Sequence, residues 1–147
     1  MKTKRKRNQG FTLIEILIVM TLLGLIASFA VTNVISRQQE GYRKGTKITM
    51  QQIRTNLDDY FRTCNSYPTN AQGGLETLLV KPADNSCPNY PPEGFLQSKQ
   101  VPKDAWGNDF IYVCDDGRKY VLKSLGRDRR EGGEGHDKDI STEDPDF

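Results

Sequence analysis

Apolar residues crowd the first quarter of the chain and thin out after it. From Phe11 to Ile35 the positions are hydrophobic, small or uncharged polar, and a single charge, Glu15, interrupts them. Residues 11–31 make twenty-one positions. At about 1.5 Å per residue a helix of that length spans about 31 Å, close to the roughly 30 Å hydrocarbon core of a bilayer. Beyond residue 35 the pattern becomes helical with one apolar face: Met50, Ile53, Leu57, Tyr60 and Phe61 recur at spacings of three and four. Residues 36–63 contain no proline, so the spacing predicts one long helix over 11–63. Gly41 and Gly45 are the points where a bend, or a division into two helices, costs least. The apolar positions sustain no heptad, which argues against a coiled coil.

The helix has to end before Tyr67-Pro68, because proline disfavours helix in the residue that precedes it. Thr69 then offers a cap, and Leu75–Leu79 predicts a short second helix stopped near Pro82. Residues 82–103, with Pro82, Pro88, Pro91, Pro92 and Pro102, read as an irregular connection. Residues 110–114 and 120–124 alternate as strands around the turn formers Asp115-Asp116-Gly117, which predicts a β-hairpin. The expected class is α+β: a long N-terminal helix, half of it transmembrane and half amphipathic, packed on a small antiparallel β-sheet.

Charge sharpens the picture at the N-terminal end. Lys2, Lys4, Arg5, Lys6 and Arg7 precede the apolar run with no acid among them. Five cations on that side hold it in the cytoplasm and send the remainder of the chain across. A secretory signal has an apolar core of about 7–15 residues and a cleavage site after it. Here the run is longer and the leader-like junction, Gly10-Phe11, comes before it. The chain therefore divides into a leader (1–10), a membrane and assembly helix (11–35) and a globular head (36–147). The formal charge of +2 belongs to the leader, since without it 16 basic residues face 19 acidic ones, a side-chain charge of −3. That balance gives no argument for nucleic acid.

Glu15 lies where a carboxylate is expensive, about 2.5–3.5 kcal/mol at the centre of a bilayer and less near the interface. It can snorkel to the headgroups. Alternatively, cleavage after Gly10 gives Phe11 an α-amino group that is mostly protonated near neutrality. Glu15 of one subunit then pairs with the amine of a neighbour offset along the helix axis, which fixes register in a bundle.

These residues carry a resemblance. The segment Lys6-Arg7-Asn8-Gln9-Gly10-Phe11-Thr12-Leu13-Ile14-Glu15 is similar to the signal shared by type IV pilins and type II secretion pseudopilins. It implies cleavage between Gly10 and Phe11 by a prepilin peptidase, N-methylation of Phe11, and Glu15 as the assembly glutamate. The head resembles the protein G family of major pseudopilins. Tyr67-Pro68-Thr69, Gly74-Leu75-Glu76-Thr77-Leu78, residues 101–108 (Val-Pro-Lys-Asp-Ala-Trp-Gly-Asn), Ser124-Leu125-Gly126 with Asp128, and the glycine-rich 131–140 follow in order. The resemblance implies a self-polymerising subunit of a periplasmic fibre that drives folded proteins across the outer membrane. Its implied partners are the peptidase, minor pseudopilins and an inner-membrane platform. The alternatives are a type IV pilin of a surface fibre and a membrane-tethered calcium-binding domain that never assembles.

The loop 125–140 holds Asp128, Glu131, Glu134, Asp137 and Asp139 among glycines. By itself this reads first as a solvated acidic loop and second as a site for a hard cation, and its spacing is not that of an EF-hand. The resemblance implies a structural Ca²⁺ here, held by the Leu125 carbonyl, Asp128, and one or both of Asp137 and Asp139. Arg127, Arg129 and Arg130 depart from the family by placing positive charge beside it. Residues 82–95 depart too, being proline-rich and carrying Cys87. The three cysteines, Cys64, Cys87 and Cys114, fit no metal spacing. An oxidising compartment allows one disulfide and leaves one thiol, and the pairing stays open. A Cys64–Cys87 bridge would close a loop of about 22 residues, worth about 3 kcal/mol in the chain-entropy model. The lone His136 has no Ser/His/Asp order or metal-protease helix around it, so no enzyme is indicated.

Overall fold

The computed structural model describes residues 10–145 and 147, and for residues 29–35 the backbone alone. Apart from Gly10, the leader lies outside the described residues. Helix α1 covers Leu13–Cys64, 52 residues, and passes through Gly41 and Gly45 without a break. The chain falls into two compact units, one ending at Gln38 and the other running from Gln39 to Phe147.

In the first unit, the side chains of residues 13–28 are exposed in the isolated chain. Phe11 is 83% and Leu13 89% accessible, with Ile14, Leu17, Met20 and Ile26 also open. An apolar surface of that extent marks an interaction site. Among the described residues no helix is long and apolar enough to cross a membrane. The expected span over 11–35 depends in part on side chains 29–35, which lie outside the described residues.

The second unit is built around the other part of α1. Met50, Ile53, Leu57 and Tyr60 are buried and form one core with Leu75, Leu78, Leu96, Phe110, Tyr112, Cys114, Leu122 and Ile140. Phe61, expected on the same face, is instead partly exposed and lies against Tyr67, ring centroids 4.7 Å apart. The stripe 50-53-57-60 already fills the inward arc of about 100° that such a helix presents. Asn65 ends α1 in the left-handed conformation, φ 60°, and its amide donates to the Phe61 carbonyl at 2.7 Å. Asparagine tolerates that geometry at a helix C-terminus, and Tyr67-Pro68 then prevents resumption.

The second helix expected near Leu75 is a pair of 3-10 turns, Asn70–Gln72 and Gly74–Leu78. Gly73 at φ 114° and Gly74 at φ 59° separate them, leaving too few residues to nucleate an α-helix. The hairpin is present as β1 (Ile111–Val113) and β2 (Val121–Ser124), antiparallel with Tyr112 opposite Leu122. A third strand, β3 (Ile140–Ser141), adds to β2 with Ser124 opposite Ile140, giving the order β1-β2-β3. Its two residues are too short for any alternation to show in the sequence.

Residues 79–110 carry no strand or helix and are secured by side chains. Cys64, the last residue of α1, is bonded to Cys87, with Cα atoms 4.7 Å apart, and Cys114 is a buried free thiol. Gln72 Nε2 donates to Asp84 Oδ2 at 2.8 Å and Ser86 Oγ at 2.9 Å. The Phe95 and Leu96 amides both donate to the Leu78 carbonyl, and Phe95 packs edge-on against Tyr90 and at a tilt to Tyr60.

Candidate functional site

Two regions carry chemistry, the start of α1 and the acidic loop after β2. At the start of α1 the Thr12 hydroxyl accepts from the Glu15 amide at 3.3 Å. Glu15 Oε2 in return accepts from the Thr12 amide at 3.3 Å and its hydroxyl at 3.4 Å. This reciprocal arrangement is a capping box, in which two N–H groups left over at a helix start find partners. A carboxylate there also meets the positive end of the helix dipole. The Thr-Leu-Ile-Glu spacing signals it directly, but reading Glu15 only as a charge in an apolar run passes over it. Gly10 and Phe11, the expected processing junction, are exposed immediately before the cap.

The acidic loop begins where the sheet delivers it. Asp104 is the anchor, buried, with Oδ1 accepting from the Trp106 amide at 3.0 Å and the Asn108 amide at 2.7 Å. Its Oδ2 accepts from Ser124 Oγ at 2.7 Å, and Asn108 Nδ2 donates to the Gly126 carbonyl at 2.9 Å. The first residues of the loop are therefore fixed by a turn more than fifteen positions upstream. Trp106 reaches the helix, its Nε1–H donating to Gln39 Oε1 at 3.1 Å, and the Ala105 amide donates to the buried Thr46 hydroxyl at 3.1 Å.

The chain then folds back on itself. A Cβ on Gly133, at φ 83°, would stand 2.4 Å from the Asp137 carbonyl oxygen, so only glycine fits. The same construction on Gly126 meets the Asp137 and Lys138 carbonyls at 3.8 Å. The segments 126, 133 and 137–138 thus lie together. Arg43 of α1 donates from Nη1 to the Lys138 carbonyl, tying the peptide between Asp137 and Asp139 to the helix.

The expected ligands occupy distinct states in this fold. Asp137 receives a forked bond from Arg127, Nε to Oδ1 at 3.0 Å and Nη2 to Oδ2 at 3.1 Å. Asp128 Oδ1 accepts from the Arg130 amide at 3.1 Å. Asp139 Oδ2 accepts from the Gly132 amide at 3.0 Å, while its Oδ1 is buried with no hydrogen-bond partner among the described residues. Leu125 is half-buried at the mouth of the loop. Among the described residues, no three His, Cys, Asp or Glu side chains gather into a metal-binding group. Lys123 Nζ donates to Glu131 Oε1 at 3.0 Å, and that hydrogen bond, more than the partner's charge, holds the lysine's pKa above its ordinary value. A buried carboxylate oxygen without a donor is costly, and a hard cation would satisfy it. Asp139 thus fits the expected ion, whereas Asp137 fits it only once Arg127 lets go. Arg43 holds the loop from outside any recognisable motif, and although Asp104 and Asn108 stand in one, their bonds to Ser124 and Gly126 leave no mark in its local spacing.

A protein-family model described as type II secretion system protein G matches residues 33–143. The chain belongs to that family. A second model, the prokaryotic N-terminal methylation motif, matches residues 5–31 and so includes Gly10, Phe11 and Glu15. The type II secretion system core protein G of Vibrio cholerae is 37% identical over 138 residues, covering 93% of this chain and 92% of the relative. That of Pseudomonas aeruginosa is 38% identical over 139 residues, covering 93% and 96%. The crystal structure of the major pseudopilin from the type 2 secretion system of enterohaemorrhagic Escherichia coli is similar with a TM-score of 0.60 and 27% identity. It covers 75% of this chain and 93% of that one. Members of the family are structural pseudopilins, so this chain is a fibre subunit and not an enzyme, and the surface-pilin alternative falls away.

Proposed function

We propose that this chain is the major subunit of a type II secretion pseudopilus, a helical homopolymer whose growth drives folded proteins across the outer membrane. The observation that carries it is the exposed apolar surface of residues 13–28, opened by a carboxylate already committed to the helix start. The subunit waits in the inner membrane with its N terminus cytoplasmic and its head periplasmic. A prepilin peptidase cleaves between Gly10 and Phe11, and an inner-membrane platform with minor pseudopilins extracts the mature chain. In the fibre Glu15 pairs with the Phe11 ammonium of a neighbour, exchanging part of its capping bonds for a charge-assisted one.

Two substitutions test this. Glu15→Val removes both cap and charge, and fibres and secretion should be lost. Glu15→Gln keeps a capping acceptor but no charge. If the pairing role is right it also fails to assemble, whereas normal secretion by Glu15→Gln would mean that the cap alone matters. Mass spectrometry of the mature N terminus should find methylated Phe11.

The loop 125–140 is proposed to take a structural Ca²⁺, with Asp139, Asp128, Asp137 and the Leu125 carbonyl as its oxygens. The ion would supply positive charge to a glycine-rich segment with little core of its own. Support for this reading is the unpartnered Asp139 oxygen.

A further inference from the structure

We infer that Arg127 is a built-in cation for the acidic loop, occupying Asp137 in the metal-free protein so that divalent-ion binding is an exchange and not a simple addition. The inference rests on the calcium reading given above. Arg127 and Asp137 are ten residues apart, yet the guanidinium engages both carboxylate oxygens in the planar fork that suits them best. Arginine keeps its charge at any physiological pH, so the pair does not lapse by itself. A divalent ion held by Asp137 would need those same oxygens. Guanidinium and metal cannot share them, since two cations a few ångströms apart in a partly dry loop repel.

Other hydrogen bonds hold the loop around the pair. Gly132 closes on Asp139, Arg130 closes on Asp128, and Arg43 holds the Lys138 carbonyl. Only Asp139 Oδ1 is left buried and unmatched among the described residues. The Arg127–Asp137 pair completes that closure at the surface, where the two side chains keep 49% and 35% of their exposure. An exchangeable latch needs that partial exposure, because a fully buried pair would be too costly to part. Arg127 is a positioning residue for the loop: it sets the affinity for the ion and how far the head depends on it.

Calcium titration calorimetry on the full-length chain in detergent, after chelation, tests the exchange. Arg127→Ala should bind Ca²⁺ about fivefold more tightly than the parent, the size expected of an exposed ion pair. Its melting temperature in chelator should fall below the parent's and recover more on adding Ca²⁺. Arg127→Lys, which keeps the charge but loses the fork, should lie between. Arg130→Ala removes an equal charge from the loop without touching Asp137, and its affinity should change less. Equal tightening by Arg127→Ala and Arg130→Ala would reduce the effect to bulk charge and overturn the exchange. Identical affinities for the parent and Arg127→Ala would also overturn it, with calcium binding itself left standing. No binding by either protein would instead remove the calcium reading and the exchange along with it.

Discussion

Asp104 shows how much one side chain can organise. Its two oxygens take donors from Trp106, Asn108 and Ser124, so the turn 104–108, strand β2 and the mouth of the acidic loop share a single acceptor. Replacing it by alanine leaves those donors without their partner in a buried place. Asp104→Ala should therefore lower unfolding stability by about 3 kcal/mol, measured by urea denaturation. A loss under about 1 kcal/mol would mean water replaces the carboxylate. Asp104 stands in sequence inside a recognisable turn, Asp-Ala-Trp-Gly-Asn, yet its bond to Ser124 twenty positions on has no local signature. Glu15 is the opposite case. Both its roles, cap and charge, are written in four consecutive letters, though in apolar surroundings the charge is the more legible of the two.

At the level of elements, legibility tracked length. The 52-residue α1 was readable to within two residues at each end, because many apolar positions repeat the same period. The hairpin was readable from its alternation and from Gly117 in the turn. β3 was not, since two residues hold no period, and the 3-10 turns were not, since they differ from an α-turn only in hydrogen-bond spacing. The disulfide belongs to this level because it fastens the C-terminal end of α1 to a segment with no regular structure. With residues 82–95 otherwise held by a few side-chain bonds, reduction should cost the head about 3 kcal/mol. Thermal melts of the full chain with and without reductant, and of a Cys64→Ser/Cys87→Ser double variant, check this. The two treatments should agree. A reduced protein melting where the oxidised one does would show that packing of Tyr90 and Phe95 alone holds the segment.

For the molecule as a whole, the head's response to pH follows from its tyrosines. Burial pushes the Tyr120 hydroxyl up to about 12 and that of Tyr112 higher still. Tyr112 donates to the Pro68 carbonyl at 2.8 Å, a bond that only the neutral phenol makes. Since both folded-state values lie above the ordinary 10, the neutral phenols contribute stability that is whole below about pH 10 and is lost as pH rises towards 12. Lys123, raised by Glu131, adds to the same alkaline decline. Asp84 is held below its usual range, chiefly by the Gln72 amide, and Asp116 by the Arg118 backbone N–H, so these two weaken the head only as pH falls through the low carboxylate range. Melting temperatures should thus be level between about pH 5 and 9 and fall steeply above 10. Tyr120→Phe should make the alkaline fall shallower, and an unchanged slope would assign it to the other raised groups, Tyr112 and Lys123 among them.

The buried thiol of Cys114 has a consequence for how the subunit matures. Three cysteines permit three possible cross-links, and exchange among them requires one sulfur to attack the bond joining the other two. Cys114 is buried in the finished core, which closes it off from exchange with thiols in solution once the bridge has formed. Scrambled isomers can arise only in the interval before closure, and each would strand the Cys114 sulfur outside its place between the helix and the sheet. Oxidation of this chain therefore has to come after collapse, or be followed by an isomerase, for uniform subunits to reach the fibre.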